Sequence, residues 1–203
     1  MCGINGFNFT DKALIHKVNK LLNHRGPDSQ GEYVDSNVSL GHTRLSIIDL
    51  TSAGNQPMPN EDESVWIVYN GEVYNFKELR NNFKRKYQFK SETDTEVLIH
   101  LYDEYGKEML PMLNGMFAFC LYDSNKKQLF LARDRTGVKP LYYYFDGDKF
   151  IFSSEIKAIL AHEMPRAINK GALAFYLMYG YTLDYSLMDG IKQLPPSSYI
   201  IFD

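Results

Sequence analysis

Gly115-Met116-Phe117-Ala118-Phe119-Cys120-Leu121-Tyr122-Asp123-Ser124-Asn125-Lys126-Lys127-Gln128-Leu129-Phe130-Leu131-Ala132 reads as two strands and the turn between them. Residues 116–122 form an unbroken apolar run bounded by a glycine and a polar cluster, the pattern of a buried strand. Residues 128–132 repeat it after Asp123-Ser124-Asn125. Two further short apolar runs follow at 141–145 and 150–153, parted by Asp146-Gly147-Asp148. Short strands joined by short turns pair antiparallel, because a parallel pair needs a long crossover. The gap at 133–140 is longer and polar.

Outward from this meander the chain alternates strand and helix. A strand is expected at the N-terminus around Ile4 and Phe7. Thr10-Asp11 is a capping signal, and Leu14, Ile15, Val18, Leu21 and Leu22 recur at helical spacing. His24-Arg25-Gly26-Pro27-Asp28 is a loop. Residues 38–48 and 65–69 read as strands, the second ending in the turn signal Asn70-Gly71-Glu72. Helices are expected over 76–87, 93–105 and 155–161. After His162 the character changes. Met164-Pro165-Arg166 reads as a linker, 170–179 as a helix and 199–202 as a last strand without an evident partner, as if the chain were a fragment.

Composition narrows the function. The 203 residues are 44% apolar and 23% charged, the globular range rather than the disordered one. Net charge is -3 and the only dense basic run is Lys84-Arg85-Lys86, so no nucleic-acid surface is indicated. The longest apolar stretch falls far short of the ~20 residues that span a bilayer, and no leader precedes it. No membrane contact and a cytoplasmic location are expected. Cys2 and Cys120 make no disulfide framework, and no spacing of ligating residues suggests a metal.

Three groups of residues can carry chemistry. Cys2 becomes N-terminal if Met1 is removed, which a small second residue favours. Its α-amine, with an ordinary pKa of about 7.7–8.0, can then accept the thiol proton, so one residue holds nucleophile and base. The plain alternative is an incidental cysteine. Asn70-Gly71 can stabilise an oxyanion through a side-chain amide and a main-chain N–H, or be no more than a hairpin turn. Arg44 can grip a carboxylate in a bidentate fork, and Asp94, assisted by Glu72, an ammonium. A structural ion pair at Arg44 and a helix cap at Asp94 are the bland readings. His24 and His42 read as structural hydrogen-bonders and Cys120 as core.

In this order the residues resemble one family. Met1-Cys2-Gly3-Ile4, His24-Arg25-Gly26-Pro27-Asp28, Arg44-Leu45-Ser46-Ile47-Ile48-Asp49, Asn70-Gly71-Glu72-Val73-Tyr74-Asn75 and Thr93-Asp94-Thr95-Glu96 match the glutaminase domain of class II, N-terminal-nucleophile amidotransferases. So do Gly115-Met116-Phe117-Ala118-Phe119, the stretch from Ala132-Arg133-Asp134 to Tyr142, and Ser153-Ser154-Glu155-Ile156-Lys157-Ala158. Within that class the chain is most similar to glutamine-dependent asparagine synthetases. The resemblance runs from residue 1 to about 161, and residues 162–203 resemble the start of a synthetase domain.

The resemblance implies an α+β fold, a four-layer αββα sandwich of two antiparallel sheets. It implies L-glutamine as substrate, with Cys2 as nucleophile and base, and Asn70 and Gly71 as the oxyanion hole. Arg44 would bind the glutamine carboxylate. Asp94, Glu72 and Gly71 would meet its amino group, and the backbone of Leu45, Ile47 and Ile48 would line the pocket. Ammonia would pass to an ATP- and Mg2+-dependent synthetase domain that acts on aspartate. This chain lacks the S-G-G-x-D signature of that domain, so no cofactor of its own is expected. It also has Pro196-Ser197-Ser198 where the family usually has glycine after the prolines. A sugar-amidating relative and a non-catalytic regulatory domain are the alternatives. A second copy of the chain is kept as a further partner.

Overall fold

A computed structural model describes residues 1–83, 85–182 and 185–203. The first sheet is built from β1 (Gly3–Phe7), β2 (Ser29–Val34), β3 (Ser39–Arg44), β8 (Tyr142–Phe145), β9 (Phe150–Ser153) and β10 (Ile191–Gln193), in the order β10-β8-β9-β1-β3-β2. The second holds β4 (Met58–Pro59), β5 (Val65–Val73), β6 (Gly115–Asp123), β7 (Gln128–Arg133) and β11 (Tyr199–Phe202), in the order β11-β7-β6-β5-β4. Each pairing is antiparallel. The helices are α1 (Lys12–Leu21), α2 (Phe76–Phe83), α3 (Asp94–Tyr105), α4 (Ile156–Ile159) and α5 (Lys170–Tyr179).

Strand alternation sorts the residues into four layers. On β6, Phe117, Phe119 and Leu121 face Val97, Leu98 and Leu101 of α3. Ala118, Cys120 and Tyr122 face the other way, against Ile4, Leu40 and Phe152 of the first sheet. Both faces of β6 are therefore buried, which is why its sequence is continuously apolar. Beyond the first sheet, Phe7 and Ile151 pack on Ile15 of α1 and Ile159 of α4. The order is helices, sheet, sheet, helices, the expected αββα sandwich. Cys120 is core. Among the described residues no helix is long and apolar enough to cross a membrane.

The structure departs from the sequence reading in several places. Asn70 and Gly71 are not a turn: β5 runs through them to Val73, with Asn70 opposite Ala118 and Gly71 opposite Phe117. Residues 29–34, given no element by their weak β-propensity, form the edge strand β2 beside β3. The last strand does have a partner. β11 lies along β7, with Tyr199 opposite Ala132 and Phe202 opposite Leu129, and β10 lies along β8. The segment 162–203, read as linker and start of another domain, thus adds an edge strand to each sheet. Lys84 of the basic run lies outside the described residues, and α2 covers Phe76–Phe83 rather than 76–87.

Side-chain packing over β1 depends on Gly6. Its cross-strand partners are Leu40 and Phe152, and a Cβ there would stand 2.6 Å from the Phe152 ring. Overpacking of this kind costs about 1–3 kcal/mol, so Gly6→Ala should lower stability by that amount in urea denaturation. Phe152→Leu in the same chain should recover part of the loss. Unchanged stability of Gly6→Ala would show that the Phe152 ring has room to move aside.

Candidate active site

Cys2 precedes β1 at the end of the first sheet. Its thiol lies against the backbone of Leu45: the Leu45 N–H donates to Sγ at 3.4 Å, and the S–H reaches the Leu45 carbonyl at 3.7 Å. Arg25 fixes the residue from behind, donating through Nε to the Cys2 carbonyl at 2.9 Å and through Nη1 to Glu155 at 3.0 Å. Burial would raise the Glu155 carboxyl, but hydrogen bonds from Arg25, His24 and Lys157 outweigh it and hold the group at about 2. Gly26 lets this loop lie on the Thr43 backbone, where any side chain would collide. Burial pushes the Cys2 thiol up, and the Leu45 N–H, the chain amine, Arg44 and Arg25 draw it back only in part. The thiol is therefore protonated at neutral pH and needs a base to become a nucleophile.

Across the cleft lies β5. The Asn70 side chain is buried, and its Nδ2 has no hydrogen-bond partner. A buried amide without partners is rare, and here it lines the cleft that holds Cys2. Gly71 is oriented by strand geometry. Its opposite number, Phe117, gives its N–H to Asp134 at 3.1 Å and its carbonyl to the Asp134 N–H at 2.9 Å. Phe117 therefore turns away from β5, and in such a pair Gly71 turns its N–H away from β6 too. On that same edge the Tyr69 N–H donates to Gln56 and the Val73 N–H to Asp94, leaving Gly71 between them, directed at the cleft. Gly71 also lies so close to the Met116 carbonyl that a Cβ would clash.

Arg44 ends β3 and is buried. Its guanidinium donates to the carbonyls of Thr51 at 2.7 Å, Ile48 at 3.3 Å and Asp49, and to Asn55 Oδ1 at 3.0 Å. These partners are carbonyl dipoles, so Arg44 is neither in an ion pair nor bare. It shapes the loop after β3 while lining the cleft, and Gly54 supplies the room its guanidinium needs. Residues 45–48, expected to continue the strand, leave it here because Arg44 turns the chain onto itself. Leu45, Ile47 and Ile48 line the cleft from this loop, with Ile47 exposed.

Asp94 opens α3. Its Oδ2 accepts from the Tyr69 hydroxyl at 2.6 Å and the Val73 N–H at 2.9 Å. Burial raises its pKa, with those two bonds pulling down and Glu72 adding repulsion. Asp94 and Glu72 both line the cleft, a narrow cavity of about 90 Å³.

All the residues singled out from the sequence therefore meet at one cleft. Sequence reading missed Gln56, Tyr69, Thr95, Met116 and Lys139, which line it as well. Tyr69 alone had a signal, since alternation on β5 places it on the edge of Gly71. His24 lies outside the cleft, on Glu155 at 2.9 Å, and His42 bonds the Tyr69 carbonyl at 3.1 Å; both are structural, as expected. Arg133 and Asp134 anchor the 133–140 loop: Asp134 accepts from Val138 and Lys139, and Arg133 donates to the Lys139 and Leu194 carbonyls. Among the described residues no cluster of ligating side chains is arranged for a metal.

The model of the glutamine amidotransferase domain matches residues 1–203. Asparagine synthetase [glutamine-hydrolyzing] 1 of Bacillus subtilis is 41% identical over 92% of this chain and 30% of its own length. Asparagine synthetase [glutamine-hydrolyzing] 3 of the same organism is 38% identical over 100% of this chain and 35% of its own length. The chain spans less than half the length of the curated relatives it matches. Among solved structures, the glutamine phosphoribosylpyrophosphate amidotransferase from B. subtilis superposes with a TM-score of 0.67 over 79% of this chain and 43% of that one, at 22% identity. A structure described as the allosteric regulatory enzyme of purine biosynthesis gives 0.69 over 98% and 46%, at 20% identity. These two likenesses establish the sandwich fold, and the family match shows that the chain belongs to the glutamine amidotransferase domain family.

Proposed function

We propose that this domain hydrolyses the side-chain amide of L-glutamine to glutamate and ammonia through a thioester on Cys2. The observation that carries the proposal is the buried, unpartnered Nδ2 of Asn70, a residue that lines the same cleft as Cys2. Loss of Met1, which is exposed, frees the Cys2 amine. The neutral amine takes the thiol proton, and the thiolate adds to the glutamine Cδ. The carbonyl oxygen becomes an oxyanion held by Asn70 Nδ2 and the Gly71 N–H. As the carbon–nitrogen bond breaks, the amine returns its proton to the departing ammonia. Water then cleaves the thioester and the thiol is regenerated. Arg44 attracts the glutamine carboxylate by its charge rather than through a bidentate fork, since its Nη hydrogens are taken up by loop carbonyls, and Asp94, Glu72 and Gly71 receive the amino group. Leu45, Ile47 and Ile48 wall the pocket.

The names of the longer relatives, glutamine-hydrolysing asparagine synthetases, support a synthetase region following this domain as the destination of the ammonia. We propose further that ATP and Mg2+ activate aspartate there, in the cytoplasm. Residues 1–161 carry the glutaminase chemistry and 162–203 lead toward that region.

Cys2→Ala should abolish glutamate release with the melting temperature unchanged; retained turnover rejects the proposal. Asn70→Ala should lower kcat about 10²- to 10³-fold while KM changes little, since the lost donor acts on the transition state. A raised KM with normal kcat would assign Asn70 to substrate binding instead. The base must be neutral to accept a proton, so the rate should fall as pH drops below about 7–8. A flat profile from pH 6 to 9, with chemistry rate-limiting, would exclude the amine.

A further inference from the structure

The peptide groups of Tyr69 are gripped from two directions. Its N–H donates to Gln56 Oε1 at 2.7 Å, and the Gln56 Nε2 is tied to Thr95 Oγ1 at 3.2 Å. Its carbonyl accepts from His42 Nε2 at 3.1 Å. The two gripping side chains come from different places. Gln56 stands before β4, at the edge of the second sheet. His42 lies on β3 of the first sheet, opposite Ile4 of β1, the strand that Cys2 precedes. The imidazole is wholly buried between the sheets, and its Nδ1 has no partner. An imidazole nitrogen that faces a carbonyl must donate, so Nε2 carries a proton, and burial with no partner for Nδ1 favours the neutral ring.

From this geometry we infer that His42 and Gln56 are positioning residues that hold β5 in register with the nucleophile. The inference rests on the glutaminase reading and deepens it. Tyr69 immediately precedes Asn70 and Gly71. With its N–H occupied by Gln56 and that of Val73 by Asp94, Gly71 offers the N–H on this edge that is aimed at the cleft. His42 ties that stretch of the second sheet directly to the first. A slip of β5 by a fraction of an ångström would move both oxyanion donors relative to Cys2 Sγ. The polar cost supports the same conclusion. Burial drives the His42 pKa down to about 4, and a buried ring with an empty nitrogen is an expensive core residue. An apolar side chain would pack there without that cost but would leave the Tyr69 carbonyl loose.

The test compares His42→Met, His42→Gln and Gln56→Met with the parent. Two readouts are used: steady-state glutamate release, and hydrogen–deuterium exchange of the peptide covering 65–73. His42→Gln keeps an N–H donor at about the reach of Nε2, whereas His42→Met removes it. The expected result is faster exchange over 65–73 in both methionine variants, with exchange over 115–123 unchanged. Their kcat should fall about ten-fold or more with KM for glutamine within about two-fold, as for a misplaced oxyanion donor, and His42→Gln should recover most of the rate. Normal exchange over 65–73 in the methionine variants overturns the clamp. Faster exchange with kcat intact, or with KM alone raised, overturns its role in catalysis. Global loss of protection in the methionine variants, but not in His42→Gln, would make the His42 hydrogen bond a support of the whole fold rather than a clamp on β5 and overturn the inference for it. Failure of the parent itself to release glutamate would reject the glutaminase reading separately, since exchange over 65–73 reports the clamp without any turnover.

Discussion

The dry layer between the two sheets is the constraint on which the molecule depends. Ile4, Leu40 and Phe152 from one sheet meet Val68, Cys120 and Leu131 from the other. The layer mixes small residues, Gly6, Ala118 and Cys120, with large ones, and the Phe152 ring lies over Gly6. Because β5 and β6 are buried on both faces, they cannot slide without exposing one apolar set or the other. That fixes the second sheet against the first, and with it the end of β5 against the start of β1. The cleft is where those two strand ends meet.

Within the cleft, polarity comes mostly from oriented dipoles. Arg44 is caged by loop carbonyls, and Asp94 is held by the Tyr69 hydroxyl and the Val73 N–H. Asn70 and Gly71 present N–H groups from a strand rather than from a mobile loop. Groups so fixed do not need to reorganise when charge develops on a bound molecule, and this is the arrangement that favours an oxyanion over a neutral carbonyl. The thiol fits the same picture. Burial disfavours its charged form, so it stays inert until a base beside it takes the proton.

Much of the fold was legible along the chain. The meander at 115–153 announced antiparallel strands, the spacing of Leu14, Ile15, Val18 and Leu22 announced α1, and 170–179 announced α5. Edges were harder. β2 is half exposed and contains Gly31, so neither apolar periodicity nor propensity marks it. β10 and β11 are short, and only their pairing with β8 and β7 shows where they belong. Asn70-Gly71 was misread because asparagine and glycine favour tight turns locally. Hydrogen bonding along β6 and burial of Val68 and Val73 outweigh that preference, which is worth far less than a lost strand.

The sequence by itself determined the chemistry available: an N-terminal thiol once Met1 is gone, an amide beside a glycine, an arginine and an acidic residue for the two ends of an amino acid, and strands that alternate. These follow from side-chain type and local spacing, which are properties of neighbours in the chain. Only the tertiary structure decided that Gln56 and His42 hold Tyr69, that Arg44 is satisfied by carbonyls, that Asn70 Nδ2 is left without a partner, and that residues 162–203 close both sheets. Each of these is a contact between segments far apart in sequence. Such contacts are set by how two buried faces stack, and no local pattern of residues encodes which distant group will stand opposite.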